Sequence, residues 1–537
     1  MINNYLFFII ILIIIIISSL FIIISYYYNI GPQLYESGKD RIISILSVKP
    51  EEIKVPKRKV DYKGKKYTFP FIAGVPIKIG KIEYIFVGGN KDEPDKLLKY
   101  NNKRMIDIIS TTGIIKKKKS KWRNFLPATY GGVSVDLNNN GMSDLIVARD
   151  DGVTLYTQYK EGKFKSKKIF EEQQHAIPVA LAVSDYNKDG NLDIFVSNFI
   201  RSDEYKDFVF NNLNHSKANV LLKNNNGNFK EDKTKSKIGR SDNTFTDVNH
   251  NSWPDLVVTQ DVGQIEIWKN NFGKFEKTKF NSGFGFWMGL SVGDINNDDK
   301  MDVFSTNVGN NINKNITKGN SKKNQPIIHD HLLLLNNGDF KFIKLRIKDK
   351  TFGWGPVMQD INLDEQNDIA FSANYILNPF HSIFPQINPV LYVEGTDPLK
   401  YKKVKSFPNF GFGDNILLVD LNNNGLNEIV WVNMVGPMKI FSDTNIDNNN
   451  YLNIVVPDNK SFTNARVKLI LSDDSILTKE NIYGGTGLGS DISNTMQFSL
   501  EKDKHVKSVF IKTIYGKSYF YINPKKNSTL VVRPLRS

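Results

Sequence analysis

Apolar and polar positions alternate along this chain in two distinct ways. Tyr5 to Ile24 reads YLFFIIILIIIIISSLFIII, with no charge and two serines. About 20 apolar residues at a rise of about 1.5 Å cross the hydrocarbon core of a bilayer, so this run predicts one N-terminal transmembrane helix. Past residue 67 the apolar runs shrink to strand length. They read GGVSV, ALAVS and GLSVG before a recurring polar break, and LIVA, IFVS, LVVT, VFST, IAFS and IVWV after it. Such runs are β-branched and too short for helices, so the break joins two strands. A second hairpin signal follows in LYTQYKEGKF, LLKNNNGNF, IWKNNFGKF and LLLLNNGDF, where an Asn or Gly turn separates two strands. Two hairpins per repeat make a four-stranded antiparallel blade, and blades set around an axis make a β-propeller.

The polar break is a nine-residue sentence written six times: DLNNNGMSD at 136, DYNKDGNLD at 185, DVNHNSWPD at 247, DINNDDKMD at 294, DINLDEQND at 360 and DLNNNGLNE at 420. Successive starts differ by 49, 62, 47, 66 and 60 residues, spacings that signal repeat arrays and propellers. Residues 70–113 repeat the strand pattern with the nine-residue loop almost lost. The expected fold is therefore all-β, a seven-bladed β-propeller; a six-bladed ring closed by an N-terminal strand is the alternative.

Positions 1, 3, 5 and 9 of every copy carry oxygen side chains, and position 7 can offer its carbonyl. This set suits a hard cation that takes many oxygen ligands, and Ca2+ fits best. The predicted ligands are Asp136, Asn138, Asn140, Met142 and Asp144 in loop one, and Asp185, Asn187, Asp189, Asn191 and Asp193 in loop two. Loop three offers Asp247, Asn249, Asn251, Trp253 and Asp255; loop four offers Asp294, Asn296, Asp298, Lys300 and Asp302. Loop five offers Asp360, Asn362, Asp364, Gln366 and Asp368; loop six offers Asp420, Asn422, Asn424, Leu426 and Glu428. Position 6 is Gly141, Gly190 and Gly425 in three copies, where a left-handed turn suits glycine. Ser252, Asp299 and Glu365 stand there in the others, which should strain the turn. An EF-hand would need a bidentate Glu at position 12, but Val147, Val196, Val258, Ser305, Phe371 and Trp431 occupy it. A metal-free set of Asn-rich turns is the competing reading.

Composition narrows the rest. The 71 Lys plus Arg against 56 Asp plus Glu give a formal charge of +15. Lysine is spread along the whole chain, and the densest run, Lys116 to Arg123, falls between strand-like stretches, so it reads as a solvated loop and no nucleic-acid partner is expected. The absence of cysteine excludes disulfides, thiolate metal sites, cysteine nucleophiles and a lipidated cysteine. GGTGLGS at 484–490 does not complete a dinucleotide fingerprint, and no G-x-S-x-G or H-E-x-x-H motif is present. His329 and His331 form one close pair that lacks a third ligand. The chain is accordingly expected not to be an enzyme.

The D-x-N-x-[DN]-G-x-x-D loops between strands resemble the FG-GAP or VCBS repeats of integrin α-type propellers. MGLSVGDINNDDKMDVFSTN, residues 288–307, with the NNNGNF and NNGDF turns, is similar to the family of cartilage acidic protein. Those proteins end in an ASPIC/UnbV domain, and residues 450–521 resemble it in Ala465, Arg466 and Val467, in the glycine-rich Gly484, Gly485, Gly487 and Gly489, and in the late turn at Gly516. The chain departs from the pattern at IKTIYGK, where relatives carry Trp-Pro, and at QFSLEKD, where they carry Phe-Gly. It is also basic, so an acidic calcium-buffering role does not carry over.

The expected domains are a transmembrane anchor or signal at 5–25, a stalk at 26–66, the propeller at 67–445 and a small C-terminal β-domain at 446–537. No small-x-small cleavage site follows the apolar run, which favours an uncleaved anchor; secretion after signal cleavage is the alternative. Loops with few charges per site suit extracellular calcium levels, which puts the propeller outside the cytoplasm, at the periplasm or cell surface. The leading expectation is a calcium-stabilised module that binds protein or glycan at the cell envelope, held to the membrane by its N-terminal helix. The alternative is a scaffold or subunit of an envelope enzyme with a site in the propeller channel.

Overall fold

The computed structural model describes residues 51–52, 73–90, 94–102, 104–115, 126–201, 219–232, 242–309, 326–349, 351–373, 390–394, 397–404, 412–435, 438–442 and 450–533. The predicted membrane segment lies outside them, as does most of the predicted stalk. Among the described residues no helix is long and apolar enough to cross a membrane.

Among the described residues seven antiparallel sheets follow one another along the chain, six of four strands and the third of five, its fifth being Tyr483–Gly484. Their first strands are Gly74–Ile79, Thr129–Val135, Ala176–Ser184, Asn243–Thr246, Leu290–Gly293, Gly353–Gln359 and Phe412–Val419. Each first strand packs beside the first strand of the next sheet, and the seventh returns to the first, so the contacts close a ring. The result is an all-β, propeller-like fold.

Burial explains the sequence pattern. The first strands are covered on both faces, so Thr129–Val135 and Ala176–Ser184 are buried at every residue. Apolar side chains fill the space between neighbouring sheets. Val133, Ile146 and Leu155 meet Leu181, Ile194 and Leu222 between sheets two and three, and Val357 and Ala370 meet Ile416, Ile429 and Trp431 between sheets six and seven. Ile85, Leu98 and Met105 of sheet one meet Leu417, Val430 and Val432 of sheet seven across the seam. Trp431 is fully buried, and its truncation to alanine should cost about 3 to 5 kcal/mol in a urea melt.

The outermost strand of sheet seven is not contributed by its neighbours in sequence. Glu51 and Glu52 pair with Ser442 and Phe441, so a piece of the expected stalk zips onto the last sheet. Residues 74–107 nonetheless supply a complete sheet of their own.

The C-terminal domain is a two-layer β-sandwich. Asn450–Val455 runs between Thr495–Leu500 and Ser528–Val531 in one layer; Ile476–Glu480, Arg466–Leu471, Val506–Lys512 and Ser518–Ile522 form the other. Leu452, Ile454, Phe462, Ala465, Val467, Leu469, Phe498, Val509 and Ile511 make its core.

One segment leaves this sandwich and enters the propeller axis. Tyr483 and Gly484 pair with Val183 and Ala182 of sheet three. Gly74 donates its N–H to Ser490 Oγ at 3.1 Å and Gly132 to the Gly489 carbonyl at 2.9 Å. Thr244 bonds the Gly484 carbonyl at 3.3 Å, Leu290 and Gly487 exchange two hydrogen bonds, and Asn415 bonds Leu488 in both directions. Residues 483–491 therefore touch the first strands of sheets one, two, three, four, five and seven, and fill the axis. Glycine is required by proximity: a Cβ on Gly484, at φ +74°, would stand 2.1 Å from the Leu181 carbonyl oxygen.

Candidate metal loops and the face they form

Each nine-residue loop joins the first and second strands of sheets two to seven, and each is folded by the same backbone hydrogen bonds. The position 1 carboxylate accepts the N–H of position 5 with one oxygen and of position 6 with the other: Asp136 from Asn140 and Gly141 at 3.0 and 2.7 Å, Asp185 from Asp189 and Gly190 at 3.0 and 2.7 Å. The same pairs recur at Asp247, Asp294, Asp360 and Asp420. The position 5 side chain accepts the N–H of position 7, as Asn140 does from Met142 at 2.9 Å. The position 9 acid ties the loop to the sheet: Asp144 takes the N–H of Leu137 and of Gln158, and Asp255 those of Val248 and Asn270.

This wiring needs two left-handed residues per loop. Position 6 has φ of +82, +85 and +92° at Gly141, Gly190 and Gly425, and +67, +69 and +71° at Ser252, Asp299 and Glu365. Position 4 is left-handed as well, at Asn139, Lys188, His250, Asn297, Leu363 and Asn423. The sequence carried a signal for this in three asparagines, the side chain that tolerates such a turn best after glycine.

All thirty predicted ligands lie in these six loops. The position 9 acids are buried in the sheets. Burial pushes the Asp144 carboxyl up to about 7 and those of Asp193, Asp255, Asp302 and Glu428 to about 8. Several oxygens in the loops have no hydrogen-bond donor: Asp193 Oδ2, Asn296 Oδ1, Asn362 Oδ1 and Asp368 Oδ1. Buried carboxylates held near their neutral form, beside unpartnered oxygens, fit a bound cation. The fit is of a mixed kind. Among the described residues no three acidic or histidine side chains converge to hold a metal ion; in loops two and four, Asp189 pairs with Lys223 at 3.2 Å and Asp298 with Lys300 at 2.8 Å. Amide and carbonyl oxygens would have to complete each set.

The loops share one end of the propeller, and the C-terminal domain rests on all six. Asp136 donates its N–H to the Asp458 carbonyl at 3.0 Å, and Tyr515 bonds Asp185 Oδ2 at 2.5 Å. Asp247 donates its N–H to Glu480 at 3.2 Å while Arg466 bonds the Asp247 carbonyl. Lys468 pairs with Asp299, Ser499 bonds Asp360, and Tyr451 bonds the Asn424 carbonyl at 3.1 Å. Sequence reasoning missed this contact surface, and it drew nothing from the glycines at 484–489 beyond a failed dinucleotide fingerprint and a family resemblance. Their spacing was the available signal: four glycines within six residues allow a backbone to lie against other backbones.

His331 is a core residue. Its Nδ1 accepts the Asn307 N–H at 2.8 Å, its ring lies 4.6 Å from Phe371, and burial lowers it to about 4.

Three further buried acids set a pH dependence. Burial pushes Asp242 up to about 8, and Asp261 and Asp491 to about 7, against about 4 in an unfolded chain. Their contribution to stability is complete below about pH 4 and is lost as pH rises through 7 to 8. In chelator, the melting temperature at pH 5.5 should exceed that at pH 8.5, and Asp242→Asn should reduce the difference in a fluorescence melt.

The FG-GAP-like repeat family matches residues 136–196 and 247–305, which cover loops one to four. Comparison with curated proteins finds no match. Among solved structures, 124 chains are similar. One, described as "Structural basis of specific recognition of non-reducing terminal N-acetylglucosamine by an Agrocybe aegerita lection", is 14% identical with a TM-score of 0.40, over 69% of this chain and 93% of that one. The repeated unit is the aspartate loop with the strands on either side, and the chain carries FG-GAP-like repeats within an all-β, propeller-like fold.

Proposed function

We propose that this chain is a seven-bladed, calcium-stabilised propeller with an ASPIC/UnbV-like C-terminal β-domain, acting as an extracytoplasmic module that binds protein or glycan. The observation that carries the reading is the six-fold recurrence of one loop geometry, with buried acids and unpartnered oxygens, at one end of the ring. Calcium would be held by the side chains of positions 1, 3, 5 and 9 and the carbonyl of position 7. When bound it supplies positive charge to acids that burial otherwise neutralises. The C-terminal domain covers the loop end, so the opposite end is the surface left for a ligand. The filled axis supports a binding module over an enzyme with its site in the channel. The uncharged run from Tyr5 to Ile24 supports a membrane anchor.

Calcium titration of the full chain by calorimetry tests the metal, and a glycan array run with and without chelator tests the ligand. Uptake of several ions per chain is expected. Asp193→Asn should remove one of them, because that residue's free oxygen is buried and has no other donor. No heat of binding at millimolar calcium would end the metal reading.

A further inference from the structure

The loops that lack glycine at position 6 keep a side chain where L residues are disfavoured: Asp299 at φ +69° and Glu365 at φ +71°. Both side chains reach into the C-terminal domain. Asp299 pairs with Lys468, accepts the Thr478 hydroxyl at 2.9 Å, and its carbonyl accepts Arg466 at 3.1 Å. Glu365 accepts the Glu501 N–H at 2.5 Å and Lys504 Nζ at 2.6 Å, and donates its own N–H to Ser499 Oγ at 3.0 Å. Loop three is reached instead through His250 and the Asp247 backbone.

Where position 6 is glycine, the domain approaches differently. A Cβ on Gly425 would lie 2.0 Å from the Tyr451 hydroxyl, and the Gly425 carbonyl accepts Asn453 at 2.9 Å and Gln497 at 2.7 Å. Gly190 has only Lys460 Nζ near, at 3.8 Å, and Gly141 has nothing within 4 Å. Two of the three departures from the repeat pattern, Asp299 and Glu365, thus fall where the domain is anchored, and one of the three glycines, Gly425, stands where a side chain would clash with it.

We propose that Asp299 and Glu365 are docking residues that seat the C-terminal domain, and with it the axial segment 483–491, on the propeller, and that cation binding in loops four and five strengthens this seat. The second part rests on the calcium reading above. The link is direct: the first acid of each loop fixes the docking residue, since Asp294 Oδ2 accepts the Asp299 N–H and Asp360 Oδ2 accepts the Glu365 N–H, each at 2.8 Å. A cation on Asp294 or Asp360 would hold that acid, and hence the turn that aims the docking carboxylate.

The test uses the full chain and hydrogen exchange at the amides of Gly484, Gly487 and Leu488, which are bonded within the axis. Amides of the Asp144–Arg149 strand report that the propeller itself remains folded. The double variant D299G/E365G relieves the left-handed backbone, so a purely local role predicts equal or slower exchange. Docking predicts the opposite sign, a rise of about tenfold at the axial amides alone. D299N/E365Q, which keeps size and removes charge, should give a smaller rise. Chelation of the unmodified chain should also speed exchange at the axial amides, and calcium chloride should restore it.

Exchange in the glycine variant at or below that of the unmodified chain overturns the docking role. A full variant effect with no response to chelator, in a protein that takes up calcium, overturns the coupling and leaves calcium binding intact. The same effect in a protein that takes up no calcium sinks the metal reading and supports docking alone.

Discussion

Stripping divalent cations from the full chain should lower its melting temperature by about 10 °C. At a free calcium concentration about 100 times the dissociation constant, each filled loop adds about 2.7 kcal/mol. Two filled loops therefore contribute about 5 kcal/mol, and a large β domain responds by about 2 °C per kcal/mol. Loops two, four and five should respond most, since the unpartnered oxygens of Asp193, Asn296, Asn362 and Asp368 lie there. The measurement is a calorimetric scan in calcium and in chelator, with magnesium as a control; a smaller, harder ion should restore little of the loss, because it demands stricter geometry. Identical scans in all conditions would reduce the loops to hydrogen-bonded turns.

The second large effect is expected at Gly484. Gly484→Val places a branched side chain at φ +74°, with its Cβ 2.1 Å from the Leu181 carbonyl oxygen and 3.0 Å from the carbonyl carbon. Neither neighbour is a flexible side-chain end, so the clash cannot be relieved locally. A loss of more than about 4 kcal/mol is expected, in the range reserved for strain and broken buried networks, together with separation of the C-terminal domain under limited proteolysis. Gly516 is the control. It has φ +82° but nothing within 4 Å of a new Cβ, so Gly516→Ala should cost only about 1 kcal/mol. Equal losses at the two positions would mean that 483–491 carries no special burden.

The propeller was legible because its signals are local. A four-residue apolar run, an Asp-Asn loop and a second Asn-Gly hairpin are each readable within about a dozen residues, and the sheets follow them. Residues 74–107 form a full sheet without a nine-residue loop, since strand alternation alone suffices there. The loop interior was half legible: glycine pointed to the left-handed position 6, while position 4 hides behind residues as different as Asn139, Lys188 and Leu363. What stayed hidden is long-range. Nothing near Asp299 in sequence announces Lys468 or Thr478, and nothing in GGTGLGS names the strands it lies against. Ser252, Asp299 and Glu365 read as flaws in a repeat because the residues that explain two of them, such as Ser499 and Thr478, stand more than a hundred positions later. The pairing of Glu51–Glu52 with the last sheet was equally unreadable, since a two-residue strand has no periodicity.

That pairing has a kinetic consequence. Glu51 waits for Ser442, and Gly74 for Ser490, 416 positions away. Chains dominated by such remote partnerships fold slowly, because closure entropy is spent before the contacts that reward it can form. During synthesis the early sheets emerge with open flanks and no neighbour on one side, a state prone to association with other nascent chains. Refolding from urea should accordingly show a slow, concentration-sensitive phase.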